Sequence, residues 1–200
     1  MRPRPDQLVL ASRSPRRRLL LREAGIDARV IDPNLDDGLI AASTSVAPEE
    51  WVAALAYLKA RAGAEQLPPG SLVLGADTVV VKDGRIIGQP RDESHAREII
   101  HALRNTDHEV VTGVAIISAD QRLIFSDSAH VIVGDIPDAS IESYLASGQW
   151  RGKAGAYNLA ERRQAGWPIE VNGDPTTVMG LPMRRLREIF DLKPIGAAAS

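Results

Sequence analysis

Cysteine is absent from this 200-residue chain. No disulfide framework, thiolate metal site or cysteine nucleophile can be built from it. Long apolar runs are absent too. The basic start, MRPRPDQLVLASRSPRRR, holds only the four-residue run Leu8–Ala11, short of a signal-peptide core of about 7–15 residues. No stretch approaches the roughly 20 apolar residues that span a bilayer. A soluble, cytoplasmic protein without a membrane partner is the expectation. An excess of one charge is also missing: 26 acidic and 24 basic residues leave −2, which argues against a dedicated nucleic-acid binder. Neither a Walker A loop nor GxGxxG occurs, and there is no nucleophile-elbow motif. Of the four His, His95 and His101 share a predicted helix but stand six apart, off the spacing that makes a metal-ligand pair.

What is present is a globular composition. Hydrophobic residues make up 44% and charged residues 25%, which excludes an intrinsically disordered chain. The length of residues 1–200 fits one domain or two small, intimately packed lobes, and is enough to bury a real core. Only four of the 24 basic residues are Lys (Lys59, Lys82, Lys153 and Lys193), leaving 20 Arg. Charge is segregated along the chain. Residues 1–22 carry seven Arg against one Asp, and residues 31–50 carry five carboxylates and no base.

The pattern reads as α/β. An apolar strand, Leu8–Ala11, leads into a helix from Pro15 to Ala24, with Ser14 suited to the N-cap and Pro15 to the first turn. Ala28–Ile31 reads as strand, 32–46 as a polar loop, and Pro48–Ala64 as a helix with Glu49 and Glu50 in its first turn. Leu72–Ala76 is an apolar strand. Val79–Lys82 and Arg85–Ile87 flank Asp83-Gly84, a hairpin signal. A helix over Glu93–Leu103 precedes a second hairpin, Glu109–Ile117 and Leu123–Val133. Asp138 caps a helix to Ala146. The Gly-rich stretch 148–177 suggests strand at 154–159 and 169–172, and a last helix covers Pro182–Phe190. Helices among hairpins predict a mixed sheet with flanking helices rather than a doubly wound parallel sheet.

Three groups of residues could carry chemistry. In Ser12-Arg13-Ser14-Pro15-Arg16-Arg17-Arg18, cations crowd a helix N-terminus, where each is disfavoured by about 0.3–1 kcal/mol. A bound anion such as phosphate would resolve this through backbone N–H groups, Ser hydroxyls and guanidinium forks; a solvated cluster, or pairing with carboxylates at 32–37, would also do so. Lys59 continues the apolar stripe of Val52, Leu55 and Ala56, either snorkelling at its edge or facing a cleft. Asp77 interrupts the otherwise apolar or small run Leu72–Val81, as a turn residue or as a carboxylate held at a strand end, where α/β enzymes place catalytic acids. Such a buried carboxylate needs a Lys or a cation as partner. Asp32, Asp36 and Asp37 are either a solvated loop or a source of metal ligand.

The ordered set Leu10-Ala11-Ser12-Arg13-Ser14-Pro15-Arg16-Arg17, Lys59-Ala60, Gly75-Ala76-Asp77-Thr78-Val79-Val80, Gly88-Gln89-Pro90, His108-Glu109-Val110-Val111-Thr112-Gly113-Val114, Lys153-Ala154-Gly155-Ala156-Tyr157 and Gly180-Leu181-Pro182 resembles the Maf family of nucleoside triphosphate pyrophosphatases over nearly the whole chain. The resemblance implies hydrolysis between the α and β phosphates to a monophosphate and pyrophosphate, Mg²⁺ or Mn²⁺, two lobes around a central cleft, and a homodimer. It implies Asp77 as proton acceptor, Ser12, Arg16 and Arg17 as phosphate contacts, Lys59 as the helix Lys, and Asp37 beside Asp77 as metal ligand. Arg16 and Thr78 also match specificity positions.

This chain departs from the family pattern in three places. Gln89 stands where the family has a cleft Lys. Gly152 stands where it has an Asp. Leu159-Ala160-Glu161 replaces Ile-Gln-Gly, so Ala160 occupies the position of the substrate-reading Gln, with Glu161 or Gln164 nearby to take its place. Thr78 resembles the dTTP/UTP-preferring branch, whereas residues 174–182 are closer to the 7-methyl-GTP branch; pyrimidine triphosphates are the substrates expected. A second expectation, motivated by Gln89 and Ala160, is a catalytically weakened nucleotide-binding regulator linked to cell division.

Overall fold

The computed structural model describes residues 7–35 and 46–192. Its strands are β1 (Leu8–Ala11), β2 (Arg29–Ile31), β3 (Leu72–Lys82), β4 (Arg85–Ile87), β5 (Thr106–Ile117), β6 (Arg122–Val133) and β7 (Ile169–Asn172). They form one seven-stranded sheet in the order β2-β1-β3-β5-β6-β7, with β4 also paired to β3. β1 runs parallel to β2 and β3, and the remaining pairings are antiparallel. The sheet is therefore mixed, as the interleaved hairpins and helices predict.

The helices are α1 (Pro15–Glu23), α2 (Pro48–Ala64), α3 (Glu93–Leu103), α4 (Asp138–Ala146), α5 (Leu159–Gln164), α6 (Pro175–Val178) and α7 (Met183–Phe190). The period-2 alternation of β3 divides them between two faces. Val73, Val79 and Val81 face α2, packing with Val52, Ala56 and Ala60. Leu72, Leu74 and Ala76 pack with α1 and α7 through Leu20, Leu21, Met183 and Leu186. Val80 on that same face joins the α3–α4 cluster with Ile99, Ile141 and Trp150.

Two glycines let α2 lie directly on the sheet. A Cβ on Gly75 would meet Ala56 O at 2.3 Å and Ala60 N at 2.5 Å, and one on Gly113 would meet Val52 O at 2.3 Å. Only a residue without a side chain permits helix backbone so close to strand backbone.

Several local expectations change. The two short strands expected at 72–76 and 79–82 are one continuous strand, because β5 pairs with it from Val73 to Val81. The strand expected at 154–159 is a 3₁₀ turn over Ala154–Ala156 followed by α5. Gly155 at φ +67 bends the chain there, and Asn158 caps α5 by accepting from the Glu161 amide. Ser14 occupies the α1 N-cap without a side-chain cap bond; its own amide donates to Ser12 Oγ at 3.2 Å. Among the described residues no helix is long and apolar enough to cross a membrane.

Candidate active site

The site arises from a seam in the sheet. β1 pairs with β3 over Leu72–Gly75, and β4 pairs with the same edge of β3 over Val80–Lys82. Between them, residues 76–79 are paired to β5 on one edge only. Crevices of α/β proteins open where neighbouring strands diverge in this way. A cleft of about 420 Å³ opens here, lined by the β1–α1 junction, the middle of β3, the turn before α5 and the loop before α7.

Asp77 and Thr78 both line the cleft, yet as successive strand residues they face opposite sides of the sheet. On the α2 side, Lys59 Nζ donates to Asp77 Oδ1 at 2.6 Å, and both groups are buried. The close approach at Gly75 carries Lys59 to this carboxylate. A buried ion pair of this kind is expensive to strip of one partner.

On the other side, the Arg17 guanidinium is turned into the protein. It donates from Nε to Gly180 O at 2.9 Å, from Nη1 to Ser12 Oγ at 3.2 Å and from Nη2 to Thr78 Oγ1 at 3.1 Å. Thr78 and Thr112 hydroxyls lie 2.9 Å apart, and Thr112 donates to Thr177 O at 2.8 Å. Because Thr112 spends its proton on Thr177, Thr78 donates to Thr112 and accepts from Arg17. One directed chain thus ties α1, β3, β5 and the α6 loop around the cleft.

Ser12, Arg16 and Gln89 also line the cleft. Arg16 is half-buried; its Nε has no hydrogen-bond partner, and burial holds its guanidinium below the usual arginine value, opposed by the nearby Glu161 and Tyr144. Ala160 is exposed and is not a lining residue, and Gln164 is exposed as well. Asp36 and Asp37 lie outside the described residues. The cleft also contains Glu161, one of the two residues offered in place of the substrate-reading Gln, and three that the sequence did not single out as site members: Arg151, Lys153 and Asn158. The Asn158-x-x-Glu161 spacing was a helix-start signal, but the Gly-rich surroundings hid it.

The lining cations are Arg13, Arg16, Arg17, Lys59, Arg151 and Lys153, against the carboxylates Asp77 and Glu161 among the described residues. A cleft so charged, with a Lys–Asp pair at a strand seam, belongs to an α/β protein that takes a polyanion. Sequence comparison makes the assignment specific. The family described as Maf-like protein matches residues 7–192, and the chain belongs to the Maf family. Its relatives include the dTTP/UTP pyrophosphatase of Symbiobacterium thermophilum, 39% identical over 180 residues and 90% of each chain. The dTTP/UTP pyrophosphatase of Salinibacter ruber is 41% identical over 90% of this chain and 87% of its own. That of a Geobacillus species is 38% identical over 92% and 96%.

Proposed function

We propose that this protein is a nucleoside triphosphate pyrophosphatase acting on dTTP or UTP, which removes excess or non-standard nucleotides. The cleft carries this reading: six cationic side chains line it, and it opens at the strand seam that holds the Lys59–Asp77 pair. The names of the relatives point to the same substrates.

Phosphoryl transfer depends mainly on positioning and charge neutralisation. Arg16, Lys59 and Lys153 neutralise the triphosphate. Ser12 Oγ accepts from both the Ser14 amide and Arg17, which fixes its hydroxyl at the mouth of α1. Arg17 acts as a positioning residue, holding Ser12 and Thr78 in place. A water oxygen attacks the α-phosphorus; the bond from that phosphorus to the α–β bridging oxygen breaks, and pyrophosphate leaves with the electron pair. Asp77, oriented by Lys59, takes the water proton.

Mg²⁺ or Mn²⁺ fits this donor set. Such ions are bound by one or two carboxylates together with substrate phosphates, and Asp77 supplies a carboxylate at the seam, with Asp37 as the second ligand proposed. Among the described residues no three His, Cys, Asp or Glu converge, so phosphate oxygens would complete the coordination. When bound, the cation neutralises phosphate charge. The protein is read as a cytoplasmic homodimer, which light scattering in solution checks.

The test is incubation with UTP, dTTP, the other triphosphates and 7-methyl-GTP plus Mg²⁺ or Mn²⁺, with product identification. Monophosphate and pyrophosphate should form, and Asp77→Asn should lower kcat/KM at least a hundredfold. The regulator reading is favoured by Gln89, which lines the cleft at the position where a Lys was expected. Thermal stabilisation by nucleotide without any product would select that reading instead.

A further inference from the structure

Of the six cations that line the cleft, three are already engaged within the protein. Lys59 is paired with Asp77, Lys153 with Glu161, and Arg17 donates to Gly180, Ser12 and Thr78. Arg13, Arg16 and Arg151 make no side-chain hydrogen bond or ion pair among the described residues. Arg151 is set apart by what holds it. Its guanidinium carbon lies 4.6 Å from the centroid of the Trp150 ring. Trp150 is 3% exposed and its Nε1–H donates to Leu145 O at 3.0 Å, so the platform is fixed. Gly148, at φ +68, leaves room for the guanidinium: a Cβ there would stand 2.1 Å from Arg151 Nη1. An exposed Arg is ordinarily a solvated side chain; this one is seated on a ring and over a glycine, at the wall of the cleft.

We infer that Arg151 is a substrate-binding residue, a preset fork for the β- and γ-phosphates. This inference rests on the pyrophosphatase reading. A guanidinium has five N–H donors and no acceptor, so its ligand must be an acceptor. With no carboxylate paired to it, its charge calls for an anion. Stacking covers one face of the plane and leaves the edges, by which a phosphate is taken bidentately. A fork held before the ligand arrives loses less freedom on binding.

The fold decides which phosphate. Trp150 packs in the α3–α4 cluster with Val80, on the face of the sheet opposite the Lys59–Asp77 pair. The attacked α-phosphorus stands beside Asp77. The anionic groups left for the other face are the β- and γ-phosphates, which depart as pyrophosphate. Gly88 O accepts the Gly155 amide at 3.2 Å, which sets the uncharged stretch Gly88-Gln89-Pro90 against the segment that carries Arg151. Arg151 thus brings charge to a wall where Gln89 brings none.

The experiment measures dissociation constants of the full-length protein, with Mg²⁺, for α,β-methylene-UTP and UMP. In the analogue a CH₂ group replaces the bridging oxygen, so no product forms. Wild type is compared with Arg151→Gln and Arg151→Lys; the side chain is exposed, and an unchanged melting temperature verifies that each variant folds. Arg151→Gln should raise the constant for the analogue at least tenfold; a smaller rise, or a wild type that does not bind the analogue, overturns the inference. The factor lost by UMP should be less than a third of that lost by the analogue, and a larger share overturns the assignment to the outer phosphates. Arg151→Lys keeps the charge without the planar, stacked fork and should still lose at least fivefold; a smaller loss overturns the part given to the fork. If wild type binds the analogue but releases pyrophosphate from no triphosphate, the pyrophosphatase reading falls by itself, and the binding constants still decide whether Arg151 holds the outer phosphates.

Discussion

His108 illustrates how a residue remote from the phosphates can set the working pH range. It is 3% exposed, its Nε2 lies 2.8 Å from Tyr157 Oη, and its Nδ1 is buried without a partner. Burial pushes its pKa down from 6.5 to about 4, helped by Lys82 and His130 and opposed by Asp107. The unfolded chain thus takes up a proton near pH 6.5 that the folded protein refuses until about pH 4. Stability from this group is complete above pH 6.5 and is lost as pH falls toward 4, by up to roughly 3 kcal/mol at about 1.4 kcal/mol per pKa unit. Urea denaturation across that range should show the decline, and His108→Gln should flatten the part due to this residue. Tyr157 reaches from this histidine to the cleft wall, so the same contact steadies the wall that carries Lys153 and Asn158.

At the scale of elements, the decisive contact is α2 on β3. Ala56 and Ala60, which flank Lys59 in α2, are the residues a Gly75 side chain would strike. Gly75→Ala should therefore force α2 outward. Overpacking of this kind costs about 1–3 kcal/mol, which thermal unfolding would register. Because Lys59 would move away from Asp77, kcat/KM should fall further than stability accounts for. Much of this element was legible beforehand: the stripe of Val52, Leu55, Ala56 and Lys59 predicted a helix over the observed range, and Asp77 stood out as the one charge in an apolar run. The pairing of the two could not be read, because periodicity says which face a residue occupies and not which strand that face meets. Arg17 is the opposite case. Its sequence position suggested a phosphate contact, but its bonds to Thr78 and Gly180 depend on residues 61 and 163 positions away. The turn before α5 was missed because Gly155 at positive φ and the Asn158 cap outweigh the strand-like run around them.

At the scale of the whole molecule, a net charge of −2 conceals a strongly positive cleft. The six lining cations come from α1 and the turn before it, from α2, and from the segment that leads to α5. Elements distant in sequence thus share the work of holding one ligand. The seam between β1 and β4 gives this sharing a physical route. A pocket on one face of a sheet would touch one layer of helices. Here the opening passes through the sheet, with Asp77 and Lys59 on one side and Thr78 and Arg17 on the other. A nucleotide lodged there acts as a rivet through both layers. Hydrogen–deuterium exchange should therefore slow on α1 and α2 together when nucleotide binds, with the amides of 76–79 protected between them. Protection confined to one helix layer would mean that the ligand lies across the opening and not through it. Release of product then requires both layers to loosen at once, which makes the breathing of the sheet, as much as the chemistry at Asp77, a candidate for the step that paces the molecule.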